Sequence, residues 1–337
     1  MNSLERIRAA VRFEKTDRVP VVAQVFAHAA TLAGVPVDEY VRDGELLARC
    51  QLNALERYGY DAVFSVMDVS VETEAIGSIL RYPENHYPVV DRYALSGDFD
   101  SEALHVPDPR EAGRMPEMLK AIASLRHELA DEVLVVGCVT GPFTLTTQLL
   151  GIEDALYMAI DDPARLESVM DFATDVIISF GLAQIQAGAH MPIVFNPSAS
   201  PAVVPPAFFR EFELPRLARV FGAFAEAGAT ANWLHIAGPT RGILPYYPQA
   251  GVHIANFDYC VSAEEVVGAL PSTCVDGNIR PLAFVDAPAS TIAADAAGLI
   301  SDFRERGGFI LSSGCEIPPE SSVENVSAMV SAADTAR

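Results

Sequence analysis

Several polar side chains stand at or shortly after the ends of short apolar runs in this sequence. Their types suit proton transfer, hydrogen bonding to a substrate or metal binding. The candidate residues are Gln24, Asp68, Glu74, Gln148, Asn196, Ser198, His235, Asp258, Arg280, Cys315 and Glu316. If the runs are parallel strands of one sheet, their carboxyl ends share an edge and these side chains meet there. The sequence therefore predicts one polar site built from residues far apart in the chain.

Each candidate also has an interpretation without function. Asp68 and Glu74 could cap or solvate a loop, and Asn196 could belong to an ordinary turn. His235 lies in an apolar run and could be a core histidine, and Cys315 could be an inert packing residue. The shared site is favoured because all these groups fall at the same end of the runs, where core packing has little use for them.

The elements that must position these residues are eight short runs rich in apolar and β-branched side chains. They cover residues 20–25, 62–67, 133–138, 192–196, 232–237, 252–257, 273–277 and 308–313. Near-continuous hydrophobic runs are typical of strands buried on both faces. Their alternation with longer amphipathic stretches predicts an α/β fold, and eight units predict a (β/α)8 TIM barrel. A doubly wound open sheet is the alternative, but no glycine-rich dinucleotide fingerprint or phosphate loop follows any run.

Helical patterns occupy stretches between the runs, and they cover residues 43–59, 161–188 and 205–228. Gly59 should close the first helix, Asp162 should cap the second, and Pro215 should kink the third. A longer connection at about 68–115 is expected to be an insertion after the second strand. Because no repeat or linker divides the chain, residues 1–337 are predicted to form one domain with an N-terminal helical extension.

The composition narrows the classes of partner. A net charge of −22 disfavours nucleic acid and anionic membrane surfaces, which both attract clustered Lys and Arg. No apolar run reaches 18 residues, and the charged N-terminus lacks the apolar segment of a signal peptide. The five cysteines are widely spaced and disfavour a disulfide framework. We therefore expect a cytoplasmic protein that binds neither nucleic acid nor membrane.

Motifs along nearly the whole chain resemble the uroporphyrinogen decarboxylase superfamily. They are LERIRAAVRFEKTDRVPV near the N-terminus, YGYDAVFSVMDVSVETEAIG (58–77), VTGPFTLTTQLLG (139–151), FNPSASPAVVPPAFFREFELP (195–215), LHIAG (234–238), GNIRP (277–281) and ILSSGCEIPPESSVENVSAMV (310–330). Several motifs in the family's order are far more specific than any one of them. The resemblance implies a (β/α)8 barrel, in agreement with the strand count.

The superfamily contains decarboxylases and corrinoid-linked methyltransferases, and the segment after the first strand separates them. True decarboxylases carry arginines there, because the many carboxylates of a porphyrinogen need guanidinium partners. Residues 19–41 contain no Arg or Lys, although Asp68 resembles the pyrrole-binding aspartate of the decarboxylases. The resemblance therefore favours the branch similar to the methylcobamide:coenzyme M methyltransferases.

In thiol-methylating members of that branch, zinc is held by a His-x-Cys motif and a distant cysteine, and it deprotonates the acceptor thiol. The resemblance implies that His235 and Cys315 are ligands, but Ala237 stands where the middle cysteine is expected. Catalytic zinc usually has three protein ligands, so a carboxylate from Asp258 or Glu74 would have to complete the set. Such a mixed site would suit an ether oxygen better than a thiol.

The resemblance thus implies a corrinoid-dependent methyltransferase that moves a methyl group between a small molecule, such as a methoxylated donor, and cobalt. No segment resembles a cobalamin-binding module, so the corrinoid is expected from a partner protein. In this interpretation His235 is a metal ligand or general acid, Asp68 and Glu74 orient or protonate the substrate, and Asn196 hydrogen-bonds it. The other expected substrate contacts are Gln24, Gln148, Ser198 and Arg280.

Two alternative functions stay open at this point. A decarboxylase of a smaller or different substrate would need neither metal nor corrinoid. A barrel that binds a corrinoid or tetrapyrrole without turning it over would explain the loss of one zinc ligand at Ala237. The polar groups at the other strand ends favour an enzyme over this third possibility.

Overall fold

The computed structural model describes residues 1–97 and 104–335. Its strands are, in chain order, β1 (Val21–Val22), β2 (Ala62–Phe64), β3 (Ile79–Arg81), β4 (Val89–Arg92), β5 (Leu134–Thr140), β6 (Met191–Phe195), β7 (Trp233–His235), β8 (Ile254–Asn256), β9 (Cys274–Ile279) and β10 (Phe309–Ser313). Eight of them form one parallel sheet in the order β1–β10–β9–β8–β7–β6–β5–β2. Each of the eight predicted runs overlaps one of these strands, so the prediction of a (β/α)8 barrel is confirmed.

The two ends of the sheet approach each other and nearly close the barrel. The backbone N–H of Asp61, just before β2, donates a 2.7 Å hydrogen bond to the carbonyl of Val21 in β1. The buried Asp61 carboxylate accepts a 2.7 Å hydrogen bond from the Val21 N–H and bonds to Arg6 and Arg18 at 2.6 and 2.7 Å. This ion cluster fixes the amino-terminal end of both strands, because a buried carboxylate must be paired.

The helices, in chain order, are α1 (Ser3–Val11), α2 (Ala27–Ala33), α3 (Val37–Tyr40), α4 (Gly44–Tyr58), α5 (Val71–Ile76), α6 (Met115–Leu129), α7 (Pro142–Leu150), α8 (Ile152–Asp161), α9 (Pro163–Ala187), α10 (Pro206–Phe208), α11 (Leu214–Glu226), α12 (Ala263–Ala269), α13 (Ala283–Asp286), α14 (Ala289–Phe303) and α15 (Val323–Thr335). The predicted ends of the first two helices are confirmed. Gly59 closes α4 with a positive φ of 73°, and Asp162 caps α9 by accepting a hydrogen bond from the Arg165 N–H.

The helix predicted at 205–228 is interrupted, as its internal proline requires. Pro215 has no N–H to donate to the preceding turn, and the chain forms a π-helical turn over Phe209–Glu213 between α10 and α11. This turn carries Glu213 into the barrel, where its side chain is fully buried. The expected kink is therefore a one-turn change of helix type.

Helix α9 is the one described helix long and apolar enough, by length and composition, to cross a membrane. Its most apolar window is 56% buried inside the molecule, and it packs against β5, β6 and α11. Core helices of barrels meet the same criteria, so this helix alone is weak evidence for a membrane span.

The connection at 68–115 contains α5 and an antiparallel hairpin of β3 and β4, in which Arg81 pairs with Val89. The hairpin lies at the carboxyl end of the barrel, because Tyr87 at its tip contacts the loop after β10 through Glu316. The prediction that residues 1–337 form a single domain stays a prediction.

Candidate active site

A cavity of about 610 Å³ opens at the carboxyl ends of the barrel strands. Its walls come from the segments after β2, β6, β7 and β10, from the β3–β4 hairpin and from α7. This volume lies in the range typical of small-molecule sites. Most of the lining side chains are apolar, and a few polar groups converge among them, which is the usual composition of a ligand site.

Six of the eleven candidate residues line this cavity, and the other five lie outside its lining. The six in the cavity are Asp68, Gln148, Ser198, His235, Cys315 and Glu316. Those outside the lining are Gln24, Glu74, Asn196, Asp258 and Arg280. The structure therefore brings Asp68, His235 and Cys315 to one cavity, but not Asn196 or Asp258. The chemical roles assigned to these residues stay predictions.

His235 ends β7 and is the most deeply placed polar group of the cavity, with 2% of its surface exposed. Both ring nitrogens lack a hydrogen-bond partner among the residues that the structure describes. The ring packs 4.7 Å from the ring of Phe195, centre to centre. Burial lowers the pKa of His235 to about 3, so the imidazole is neutral at physiological pH. An imidazolium acting as general acid does not fit this environment, whereas a neutral hydrogen-bonding group does.

Asp68 lines the cavity, but Arg114 holds its carboxylate. The guanidinium bonds to both oxygens of Asp68, to Glu74 at 2.6 Å and to the Val41 carbonyl at 2.9 Å. Ser70 adds hydrogen bonds from its N–H and its hydroxyl to Asp68. Glu74 thereby faces Arg114 instead of the cavity, since its other oxygen accepts a bond from Tyr82. The pair expected to orient or protonate a substrate is thus one ion cluster, of which only Asp68 reaches the cavity.

Asn196 does not reach the cavity because its amide is occupied in the barrel wall. Its oxygen accepts a 2.9 Å hydrogen bond from the Thr144 hydroxyl, and its nitrogen donates to Glu213 at 3.0 Å. Glu213 also accepts from the Phe143 N–H, and burial raises the pKa of its carboxyl group to about 7. The network shapes the start of α7 and positions its residues Thr147 and Gln148, which do line the cavity.

Three further candidates have other partners. Asp258 accepts hydrogen bonds of 2.7 Å from the N–H groups of Gly238 and Tyr259. Arg280 points to solvent and pairs with Asp286 on the surface. Gln24 is fully buried and donates to Ser312 and Ser313. Neighbouring groups thus satisfy Asp258 and Arg280 before a ligand could, whereas the buried Oε1 of Gln24 has no partner among the described residues.

Two further cavity residues are Glu316, a sequence candidate without an assigned role, and Tyr87, which was not a candidate. Glu316 accepts a 2.5 Å hydrogen bond from the Tyr87 hydroxyl and a 3.2 Å bond from the Ala27 N–H, both at Oε1. Burial raises the pKa of the Glu316 carboxyl group to about 7. The position of Glu316 next to Cys315 was a usable signal. No signal pointed to Tyr87, because the hairpin that brings it here joins no predicted strand.

The family model described as uroporphyrinogen decarboxylase (URO-D) matches residues 2–336. The chain belongs to the URO-D family. This match confirms the resemblance deduced from the motifs, and it covers the barrel and all the cavity residues named above.

Relatives of this URO-D family member are enzymes of two kinds. The "Methylcobamide:CoM methyltransferase MtaA" of Methanosarcina barkeri is 27% identical over 98% of this chain and 96% of its own. The "Uroporphyrinogen decarboxylase" of Anaeromyxobacter dehalogenans is 26% identical over 97% of each chain. The solved structure of a "methyltransferase from Methanosarcina mazei" superposes with a TM-score of 0.91, at 28% identity, over 99% of this chain and 98% of that one.

The cavity of this URO-D family member offers only two of the three zinc ligands that the resemblance implies. His235 and Cys315 both line the cavity, but Ala237 has no donor atom and Asp258 is held by backbone N–H groups. No group of three His, Cys, Asp or Glu side chains that could hold a metal ion occurs in the part of the chain that the structure describes. Burial raises the pKa of Cys315 to about 11, so its thiol is protonated at neutral pH. The donor set therefore does not fit a resident zinc ion.

Restoring the missing donor should create a zinc site. Ala237 lines the same cavity as His235 and Cys315, so Ala237→Cys supplies a third ligand of the type that zinc prefers. We expect elemental analysis to find about one zinc per chain in the variant after dialysis against a weak chelator. The wild type and the matched variant Ala237→Ser should hold far less. A wild-type protein that keeps stoichiometric zinc through the same dialysis would contradict this interpretation.

Proposed function

We propose that the protein is a corrinoid-linked methyltransferase that moves a methyl group from a small methyl donor to the cobalt of a corrinoid protein. The observation that carries the proposal is the charge of the cavity. Among the residues that the structure describes, those lining the cavity include two carboxylates, Asp68 and Glu316, and neither Lys nor Arg. The relatives with methyltransferase names supply the reaction class.

The charge of the lining disfavours the decarboxylase alternative. A porphyrinogen carries many carboxylates, and anions bound in a cleft need cationic partners. Arg114 bonds to the lining residue Asp68, but its donors are spent on Asp68, Glu74 and a backbone carbonyl. A polyanionic substrate would therefore face uncompensated negative charge.

The charges of the cavity lining also favour methyl transfer from a donor to cobalt over methyl transfer from cobalt to a thiol coenzyme. Coenzyme M is a thiol that carries a sulfonate, so its binding would need a cation, and its activation would need a thiolate-stabilising group. The lining offers neither, since His235 is neutral and the Cys315 thiol is protonated. A methyl donor without negative charge fits the cavity better, whether methoxylated or of another kind.

In this proposal the chain binds the donor and the partner brings the cobalt, which performs the difficult chemistry. His235 contacts the donor with its unpartnered ring, and Gln148 and Ser198 hydrogen-bond its polar parts. The cavity opens at the carboxyl face of the barrel, where a corrinoid protein can reach the methyl group. Free thiols at all five cysteines support a cytoplasmic setting.

The test is anaerobic methylation of reduced cobalamin by the purified protein. We expect the absorbance of cob(I)alamin to decay to that of methylcobalamin when a methyl aryl ether or a quaternary ammonium donor is added, and to persist without enzyme. Carbon dioxide released from a carboxylate substrate without cobalamin would move the assignment to a decarboxylase. Tight corrinoid binding with no turnover of any donor would favour a non-catalytic barrel.

A further inference from the structure

Four aromatic rings and two carboxylates surround the polar centre of the cavity. Phe26 and Phe195 lie at the strand ends with ring centres 5.8 Å apart, and Phe195 contacts His235. The rings of Tyr87 and Tyr93 line the cavity from the hairpin and the segment that follows it. Faces of aromatic rings carry negative charge density and attract cations that have lost their water.

The cluster around Asp68 gives the cavity a net negative charge, and Glu316 adds a carboxyl group whose pKa burial raises to about 7, so that it is partly ionised at neutral pH. Asp68, Glu74 and Arg114 form a cluster of two carboxylates and one guanidinium, so the cluster carries one net negative charge. Glu316 stands across the cavity with Oε1 bonded to Tyr87 and Ala27, which leaves Oε2 for a ligand. A negative, water-poor cavity is the environment in which a bound cation gains most.

An independent feature of the cavity wall is a buried polar ring that no described residue satisfies. His235 is 98% buried, lines the cavity, and has no partner at either ring nitrogen within the described chain. A neutral imidazole offers one N–H and one lone pair, so it suits a hydroxyl or similar neutral polar group on the ligand. Being neutral, it adds no positive charge that would repel a cation.

We infer that the methyl donor of this cavity is an onium compound, meaning a quaternary ammonium or sulfonium, with a small polar group that His235 can bind. The inference rests on the proposed function and narrows its substrate class. The aromatic rings of Phe26, Phe195, Tyr87 and Tyr93 surround the cationic centre, and the carboxylate of Glu316 balances its charge.

The chemistry of such a donor matches what the cavity lacks. Cobalt(I) supplies an electron pair to the methyl carbon and becomes cobalt(III), while the carbon–nitrogen or carbon–sulfur bond breaks. The electron pair of that bond stays on nitrogen or sulfur, so a neutral amine or thioether leaves. No proton and no Lewis acid is required for this leaving group, whereas an ether oxygen would require one of them. The reaction of an onium donor can therefore proceed although the described residues of the cavity do not offer three metal ligands.

Binding measurements with charge isosteres test the inference directly. Choline and 3,3-dimethylbutan-1-ol have the same shape and the same hydroxyl, and they differ in one positive charge. We expect calorimetry to show that choline binds at least about tenfold more tightly than the alcohol. 2-Mercaptoethanesulfonate, which carries a negative charge, should bind more weakly than both.

A variant pair assigns the preference to the cavity. Glu316→Gln keeps an oxygen that can accept hydrogen bonds from Tyr87 and Ala27, but it removes the charge. It should reduce the ratio of choline to alcohol affinity by about fivefold or more. Glu153→Gln removes one charge from the exposed helix α8, beside the cavity residue Ile152, and should leave the ratio unchanged. Thermal unfolding checks that both variants fold.

The outcomes separate this inference from the proposed function. Equal affinity of the wild type for choline and the alcohol, or tighter binding of the sulfonate, would overturn the onium assignment. Cobalamin methylation by a methyl ether in that case would leave the methyltransferase proposal intact. Conversely, a clear preference for choline with no methylation of cobalamin by any donor would support the onium site and refute the reaction.

Discussion

Replacing His235 with leucine should abolish turnover and at the same time stabilise the fold. Among the described residues that line the cavity, His235 is the one deeply buried side chain whose polar atoms have no partner. Its removal therefore takes away the main polar contact of the proposed donor. We expect the rate of cobalamin methylation to fall by about a hundredfold or more. Removing two unsatisfied buried nitrogens should raise the free energy of unfolding by about 1 kcal/mol at pH 8.

The stabilisation by His235→Leu should grow as the pH falls. In the unfolded chain the imidazole takes up a proton near pH 6.5, but in the folded protein burial delays this until about pH 3. The wild type therefore loses up to about 1.4 kcal/mol for each pH unit below 6.5, and the leucine variant does not. Denaturant unfolding at pH 8 and pH 5 measures the difference.

His28 provides the matched control. It is equally buried, but its ring nitrogens contact the Tyr58 hydroxyl at 2.8 Å and the Pro319 carbonyl at 3.1 Å. His28→Leu should therefore destabilise the protein at pH 8, because it leaves those partners unsatisfied. If His235→Leu also destabilises at pH 8 and keeps full activity, His235 is a packing residue and the site has been placed wrongly.

The barrel could be predicted from the sequence because its signal is repeated and local. Strands buried on both faces must be continuously apolar, and β5 and β6, which are buried at every residue, match runs 133–138 and 192–196 closely. The helix ends at Gly59 and Asp162 could be predicted equally well, because helix caps depend on single residue types. The hairpin of β3 and β4 was missed, because its exposed strands have no apolar core face.

The site was predicted less completely, because a strand end does not determine where a side chain points or what satisfies it. Asp258 and Arg280 follow strands as expected, but one turns to the Gly238 N–H and the other to solvent. Asn196 is consumed by Glu213, which enters the barrel through a π-helical turn that the sequence indicates only as a kink at Pro215. Such competition between a ligand and the protein's own groups is visible only in three dimensions.

Arg114, the partner of Asp68, is a stabilising feature that the sequence could not show. Arg114 lies 46 residues away, at the end of the connection after β2, yet it is 6% exposed and bonds to Asp68 and Glu74. Arg114→Met should lower the free energy of unfolding by about 3–5 kcal/mol at pH 8, because two neighbouring carboxylates lose their only described cation while one of them stays buried. The methylene stem of methionine preserves packing, so the loss reports the charge.

Two comparisons isolate that charge effect by chemical denaturation. Arg280→Met removes an exposed guanidinium from its surface pair with Asp286 and should cost about 0–1 kcal/mol. Adding Asp68→Asn to Arg114→Met should recover part of the loss, since one uncompensated carboxylate disappears. A loss below 1 kcal/mol, or one that Asp68→Asn does not relieve, would mean that Arg114 mainly fills space and that its charge does not stabilise the two carboxylates.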